Sequence, residues 1–269
     1  MKKSVGVIGC GNMGTAIIAQ ARRLKNFEFS VYEKDAVRQS AICKKYHLKS
    51  VRTVAALAQK SDIIIIAVKP QDIEPVLINI RDSISQRDKN KPLIISIAAG
   101  LKTAFLEEKI GAPVNVIRVM PNMPAAIGKG MSALTAGRFT AKRDMKNAEA
   151  IFKAVGETVV VSEDHIDAVT ALSGSGPAYF YLIFSGFINA ACELGLEKSD
   201  AEKLLLHTIT GSMSFLESQK FDTEGLIAKV ASKGGTTEAA LRVFHDKGLR
   251  EILRQGLMAS YNRSKELSR

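Results

Sequence analysis

The hexapeptide Gly9-Cys10-Gly11-Asn12-Met13-Gly14 has the spacing G-x-G-x-x-G. Glycines at those intervals permit a tight turn, close approach of backbone to a pyrophosphate, and close packing of a helix on a strand. An apolar run at 5–8 precedes the motif and a helical pattern follows it. The free N–H groups of a helix start would then meet the phosphates. About 20 residues further on stands Glu33, where a carboxylate hydrogen-bonds the ribose 2′-hydroxyl and repels a 2′-phosphate, which favours NAD(H). Lys34 beside it works the other way, as a partner for that phosphate, and keeps NADP(H) as the alternative. A solvated Glu33 with no ligand is the plainer reading of the same residue.

Other segments fall where open α/β sheets bind cofactors, just past the C-terminal ends of strands. Val68-Lys69-Pro70 follows the run 63–68, and Ile97-Ala98-Ala99 closes the run 93–97. Lys69 can reach phosphate or ribose, and small residues at 98 and 99 let a ring lie against the backbone. Met120-Pro121-Asn122-Met123-Pro124-Ala125 reads as a rigid structural turn. Ser173-Gly174-Ser175-Gly176-Pro177 opens an uncharged stretch, with Ser175 as helix N-cap and Pro177 in the first turn. Ser232-Lys233-Gly234-Gly235-Thr236-Thr237 makes a compact anion cradle. Its backbone N–H groups at 234–237 and the hydroxyls of Ser232, Thr236 and Thr237 suit one small carboxylate. The competing reading is a glycine turn with a threonine N-cap.

The elements that must hold these groups change character near residue 163. Before it, apolar runs at 5–8, 28–32, 63–68, 93–97, 114–120, 131–135 and 158–161 alternate with helical spacing at 13–24, 36–45, 53–59 and 72–84. Several runs are apolar at every residue, as 63–66 is, which suits parallel strands covered on both faces. The pattern predicts a doubly wound α/β domain over 1–162. After 163 strand signals vanish, and helices are expected at 166–172, 177–194, 200–217, 223–232, 237–244 and 249–267. Ser199-Asp200-Ala201-Glu202 reads as a capping box opening one of them. An all-α domain over 163–269 with an uncharged central helix suggests pairing with a second subunit.

Composition narrows the partners. The 269 residues are 46% hydrophobic and 24% charged, a folding chain rather than a disordered one. The three Cys and four His are scattered without metal-ligand spacing, so no metal is expected, and unpaired Cys suit a reducing compartment. No signal peptide is read at the N-terminus, so the expected location is the cytoplasm. The net charge of +11 favours anionic ligands. Basic residues come in short pairs without interleaved aromatics, so a solvated basic surface is expected rather than a nucleic-acid binder. The uncharged stretch 168–192 is broken by glycines, and its helical part is shorter than the ~20 residues a membrane span needs.

Taken in order, 9–14, 67–70, 119–125, 167–177 and 232–241 resemble the pyrroline-5-carboxylate reductase family of proline biosynthesis, over essentially the whole chain. The resemblance implies a Rossmann domain followed by an α-helical dimerisation domain, with interleaved dimers that some members build into rings of five. It implies that 9–14, 68–70 and 97–99 hold the dinucleotide. It further implies that Ser232, Gly234, Gly235, Thr236 and Thr237 hold the carboxylate of a small anionic imine, near Ser175, and that the Thr237 hydroxyl faces the ring nitrogen. Three positions depart from the pattern. Val54 stands where many relatives carry an adenosine-touching asparagine, Lys233 where many carry proline, and Glu33 where many carry neutral or basic residues.

The chemistry fits what the chain lacks. A protonated cyclic imine brings its own proton, so no strong enzymic acid or base is obligatory, and no well-placed His or Lys base is found. The work left is positioning, with Thr237 on the nitrogen. A β-hydroxyisobutyrate-type dehydrogenase shares the layout but relies on a lysine in a helix of its second domain, which 168–192 does not offer. A sensor that has lost turnover would have no use for an intact cradle.

Overall fold

Isoleucine at every position of 63–66 demands cover on both faces of a strand, and the computed structural model provides it. It describes residues 2–85, 87, 91–111 and 113–268. The chain divides into two compact units, Met1–Pro177 with Ser260–Arg269, and Ala178–Ala259.

The first unit holds one sheet: β1 Lys3–Ile8, β2 Phe27–Tyr32, β3 Lys49–Ser50, β4 Ile63–Ile66, β5 Leu93–Ser96, β6 Val116–Pro121, β7 Gly130–Ala136 and β8 Gly156–Val160. The strand order is β3-β2-β1-β4-β5-β6-β7-β8. Between the strands run α1 Asn12–Ala21, α2 Ala36–Tyr46, α3 Val54–Lys60, α4 Ile73–Ser85, α5 Thr103–Ile110 and α6 Lys142–Lys153. Successive side chains of a strand point to opposite faces. Val5, Val7, Ile63, Ile65 and Ile117 therefore pack with Ile17 of α1, Ile42 of α2 and Ile151 of α6. Ile64, Ile66, Ile94 and Val116 pack with Leu57 of α3, Leu77 of α4 and Leu106 of α5.

Two features of the sheet differ from the sequence reading. The β6–β7 pair is antiparallel, with Ile117 opposite Ala136. A short 3-10 turn at Met123–Ile127 joins them, too little chain for the crossover that a parallel pair requires. The two-residue β3 carries no apolar signal and is absent from the sequence expectation.

From residue 166 the backbone is helical through the expected break. α7 Ile166–Val169 passes into a π-turn at Thr170–Gly174 and on into α8 Gly176–Glu193. Ser175 is not an N-cap. Its dihedrals are helical (φ −85, ψ −22), and its N–H donates to Thr170 O at 2.9 Å. A π-turn accommodates the glycines without ending the helix. Asn122 holds this segment from the proline-rich loop: its Oδ1 accepts from Met131 N–H at 2.8 Å and its Nδ2 donates to Ser173 Oγ at 3.3 Å. The buried Arg118 of β6 donates to Glu163 at 2.6 Å, and Glu163 also accepts from the Thr103 hydroxyl at 2.7 Å. Asp167 accepts hydroxyl bonds from Ser264 at 2.6 Å and Ser268 at 2.8 Å, which ties the end of the chain to the first unit.

The second unit is helical throughout its regular elements: the body of α8, then α9 Lys198–Ser218, α10 Thr223–Val230, α11 Thr236–Asp246 and the start of α12 Leu249–Leu267. The expected capping box does not form. α9 starts at Lys198, with Glu197 at its N-cap and no side-chain cap bond. Among the described residues, the buried hydrophobics of this unit are Ile188 and Ala201. Phe180, Tyr181 and Leu182 are 69%, 62% and 74% exposed. No helix among the described residues is long and apolar enough to cross a membrane.

Candidate active site

The turn from β1 to α1 shows which glycines the fold needs. Gly9 has φ +97, open to glycine at little cost, and its N–H donates to Tyr32 O at 2.9 Å. A Cβ on Gly14 would lie 2.2 Å from Gly9 O, so α1 can sit this close only without one. Gly11 differs: a Cβ there would meet no protein atom within 4 Å. The fold does not require glycine at 11, whereas a phosphate laid on that backbone does. Gly11 is the N-cap of α1 with no side-chain cap bond, and the first turn carries no acidic residue. Thr15 N–H is the donor to Gly11 O, so the N–H groups of Asn12, Met13 and Gly14 have no intrahelical acceptor. This seat fits a dinucleotide pyrophosphate.

Gly9, Gly11, Glu33, Lys34, Val68 and Lys69 line one cleft of about 740 Å³ in the first unit. Glu33 is not solvated. It is 8% exposed, and its carboxylate accepts from Cys10 N–H at 2.7 Å and Asp35 N–H at 3.2 Å. It therefore braces the end of β2 against the glycine turn. Lys34 Nζ lies 3.2 Å from Asp72 Oδ2. Burial, aided by the negative charge of Glu33, pushes the Cys10 thiol up to about 12, which keeps it in the thiol form rather than the nucleophilic thiolate. Val54, flagged from sequence as a departure, also lines the cleft. Sequence reasoning missed Tyr32, Arg38 and Asp72 in the same walls, which Gln71 also lines. Adjacency to Glu33 was an available signal for Tyr32, and one turn into α2 for Arg38.

The remaining first-unit candidates lie elsewhere. Pro70, Ala99 and Ser175 line a second cleft of about 700 Å³, which shares Gln71 with the first. Ser260, also in its wall, donates to Ser175 Oγ at 3.3 Å. Ala98 is buried among the side chains of α3 to α5, and Ile97 packs against the opposite core. These two shape the strand end rather than a cleft wall.

In the second unit, the cradle is smaller than its sequence suggests. Gly234 N–H donates to Glu238 Oε2 at 2.6 Å, and Gly235 N–H donates to Ser232 O at 3.0 Å. Gly235, not a threonine, is the N-cap of α11, and it makes no side-chain cap bond. Ala239 N–H is the donor to Gly235 O, so the first-turn N–H groups of Thr236, Thr237 and Glu238 have no intrahelical acceptor. Those N–H groups, with the Thr236 and Thr237 hydroxyls beside them, make the anion seat. Glu238, at the third helical position, was a readable sign that one glycine N–H is spoken for. Among the described residues, no group of three or more His, Cys, Asp or Glu could hold a metal ion.

Comparison with known proteins places the chain among its relatives. Residues 163–267 match a family model described as pyrroline-5-carboxylate reductase dimerisation, and residues 4–100 match one described as coenzyme F420-dependent NADP oxidoreductase. The pyrroline-5-carboxylate reductase of Corynebacterium melassecola is 32% identical, over 99% of each chain. That of Escherichia coli is 32% identical over the whole of both. A solved pyrroline-5-carboxylate reductase from Coxiella burnetii superposes with a TM-score of 0.91 at 33% identity, covering both chains fully. A Plasmodium falciparum pyrroline carboxylate reductase, solved with NADP bound, superposes with a TM-score of 0.86 at 29% identity, over 99% of this chain and 98% of its own. With relatives about a third identical that match it from end to end, the chain belongs to the pyrroline-5-carboxylate reductase family.

Proposed function

We propose that this protein reduces L-1-pyrroline-5-carboxylate to L-proline with a hydride from NAD(P)H, the final step of proline biosynthesis. The observation that carries this reading is the start of α11. First-turn N–H groups without intrahelical acceptors lie beside two threonine hydroxyls, a seat for one carboxylate and one ring nitrogen, on a chain whose relatives match it from end to end.

Each residue has a defined task. Gly9, Cys10, Gly11, Asn12, Met13 and Gly14 seat the pyrophosphate: Gly9 and Cys10 set the turn, their own N–H groups held by Tyr32 O and Glu33, Gly11 lets the phosphate approach, and the N–H groups of Asn12, Met13 and Gly14 with the positive end of α1 meet it. Val68, Lys69 and Pro70, with Ile97, Ala98 and Ala99, shape the strand ends for the rest of the dinucleotide. When bound, that dinucleotide supplies the hydride. Thr236 and Thr237 pin the substrate carboxylate, with Ser232, Gly234 and Gly235 fixing the turn, and Ser175 is a polar group in the wall of the first unit's second cleft. The Thr237 hydroxyl holds the ring nitrogen, whose proton arrives with the substrate. NADH is the preferred donor: each Glu33 oxygen keeps a lone pair for a ribose hydroxyl, and its charge repels a 2′-phosphate. The chain works as a dimer, in some assemblies a ring of five dimers, because α8, uncharged as far as Cys192, leaves Phe180 and Leu182 in need of cover. The working division is a dinucleotide domain over 1–162 and a helical domain over 163–269, in the cytoplasm.

The test is turnover of L-pyrroline-5-carboxylate with NADH and NADPH in parallel, for the native chain and for Thr237→Ala. Proline formation, faster with NADH, is expected from the native chain. The variant should lose roughly 100- to 1,000-fold in kcat, the scale of one lost transition-state donor, with NADH affinity little changed. Equal losses in kcat and cofactor affinity would end the role assigned to Thr237. No oxidation of either cofactor by a folded oligomer would end the reductase reading.

A further inference from the structure

The Lys34–Asp72 pair has a placement that neither residue type explains. Lys34 follows β2, and Asp72 lies in the short 3-10 turn Pro70–Asp72 that follows β4. In the sheet, β2 and β4 flank β1 on either side, and the glycine turn leaves from β1. A contact between the two outer loops therefore crosses the mouth of the cleft that Gly9 and Gly11 line, and both residues stand in its wall. The bridge is 3.2 Å long, with the two side chains 74% and 44% exposed. An exposed pair of this kind favours the closed arrangement by only about twofold to fivefold.

We propose that Asp72 is a cofactor-specificity residue that acts by occupying Lys34, a cation in the cleft wall that would otherwise be free to pair a 2′-phosphate. The inference rests on the dinucleotide reading of this cleft and deepens it. NADH carries a hydroxyl at the ribose 2′ position and leaves the bridge as it stands. NADPH carries a phosphate of about −1.5 to −2 charge near neutral pH, and it must draw Lys34 away from Asp72 before gaining a partner. Glu33, held against the glycine turn by Cys10 N–H, adds fixed negative charge on the same wall. Arg38 lines that wall as a second cation. The native balance thus disfavours NADPH through a contact between two protein groups as well as through direct repulsion, and the contact is easily broken.

The experiment is calorimetric titration with NADH and with NADPH at low ionic strength, without imine substrate. It uses the full-length chain and three variants: Asp72→Asn, Lys34→Gln and the double variant. Asp72→Asn should raise the NADPH-to-NADH affinity ratio about threefold to fivefold in the Lys34 background, and by less than half as much once Lys34 is Gln. An equal rise in both backgrounds would overturn the proposal, because Asp72 would then act by its own charge. No rise in either background would overturn it as well. Failure of every form to bind either dinucleotide would overturn the reading of the cleft itself, a distinct result because the other outcomes require binding.

Discussion

Residues 63–66 of the first unit are 0–1% exposed, whereas Leu182 of the second, no less apolar, is 74% exposed. The first unit covers its isoleucines on both faces with its own helices. The second is spanned by long helices and buries almost no hydrophobic side chain of its own. Aliphatic content alone therefore does not say whether a core is finished. In one unit the sequence supplies both the surface and its cover, and in the other it supplies only the surface.

Ile65→Ala should produce the largest effect. Truncating a fully buried isoleucine costs about 2–5 kcal/mol, and chemical denaturation followed by circular dichroism should show an earlier midpoint that does not move with protein concentration. A midpoint that fell on dilution would erase the contrast, since the sheet unit would then depend on association too. Leu182→Glu comes next. On an exposed surface it would be nearly neutral, within about 0.5 kcal/mol. Under a second copy it buries a charge, and dimer dissociation measured by sedimentation velocity should rise roughly 100-fold, about 2.7 kcal/mol. Unchanged association would mean that this face of α8 is not the covered one.

The smallest effect expected is Gly11→Ala, which sharpens the contrast within one loop. With open space around a Cβ and a φ of −68, the melting temperature should hold or rise slightly, while NADH affinity falls about tenfold. Gly14→Ala should instead lower the melting temperature, because its Cβ meets Gly9 O at 2.2 Å. If both variants melt alike and bind alike, the division between fold-required and ligand-required glycine is mistaken.

Much of this was legible from residue order, and the failures have local causes. The apolar runs marked seven strands: in β4 and β5 complete burial leaves a period-free signature, whereas β2 alternates and β8 was marked by its valines although they are partly exposed. β3 escaped because two exposed residues carry none. The reversal at β7 was hidden in the length of the connection rather than in the strand. The glycine turn and Glu33 were readable as a pair, but the brace between Glu33 and Cys10 was not, since it requires knowing that the carboxylate turns inward. Ser173–Pro177 looked like a helix break because glycine and proline usually are one, and a π-turn is a rare exception that composition does not announce. In the cradle, spacing suggested four backbone donors, while Glu238 and the Ser232 carbonyl engage two of them.

The bonds from Asp167 to Ser264 and Ser268 carry a consequence for how the protein is made. The first unit is not complete at residue 177, because its second cleft takes Ser260, Arg263, Ser264 and Leu267 as wall. On the ribosome, the sheet emerges first and the whole helical unit must be synthesised before the last residues arrive to dock. At ordinary elongation rates that leaves the nascent sheet waiting roughly 5–20 s with one wall missing. Gly100, where a Cβ would lie 2.7 Å from Leu267 O, marks the spot those residues must find.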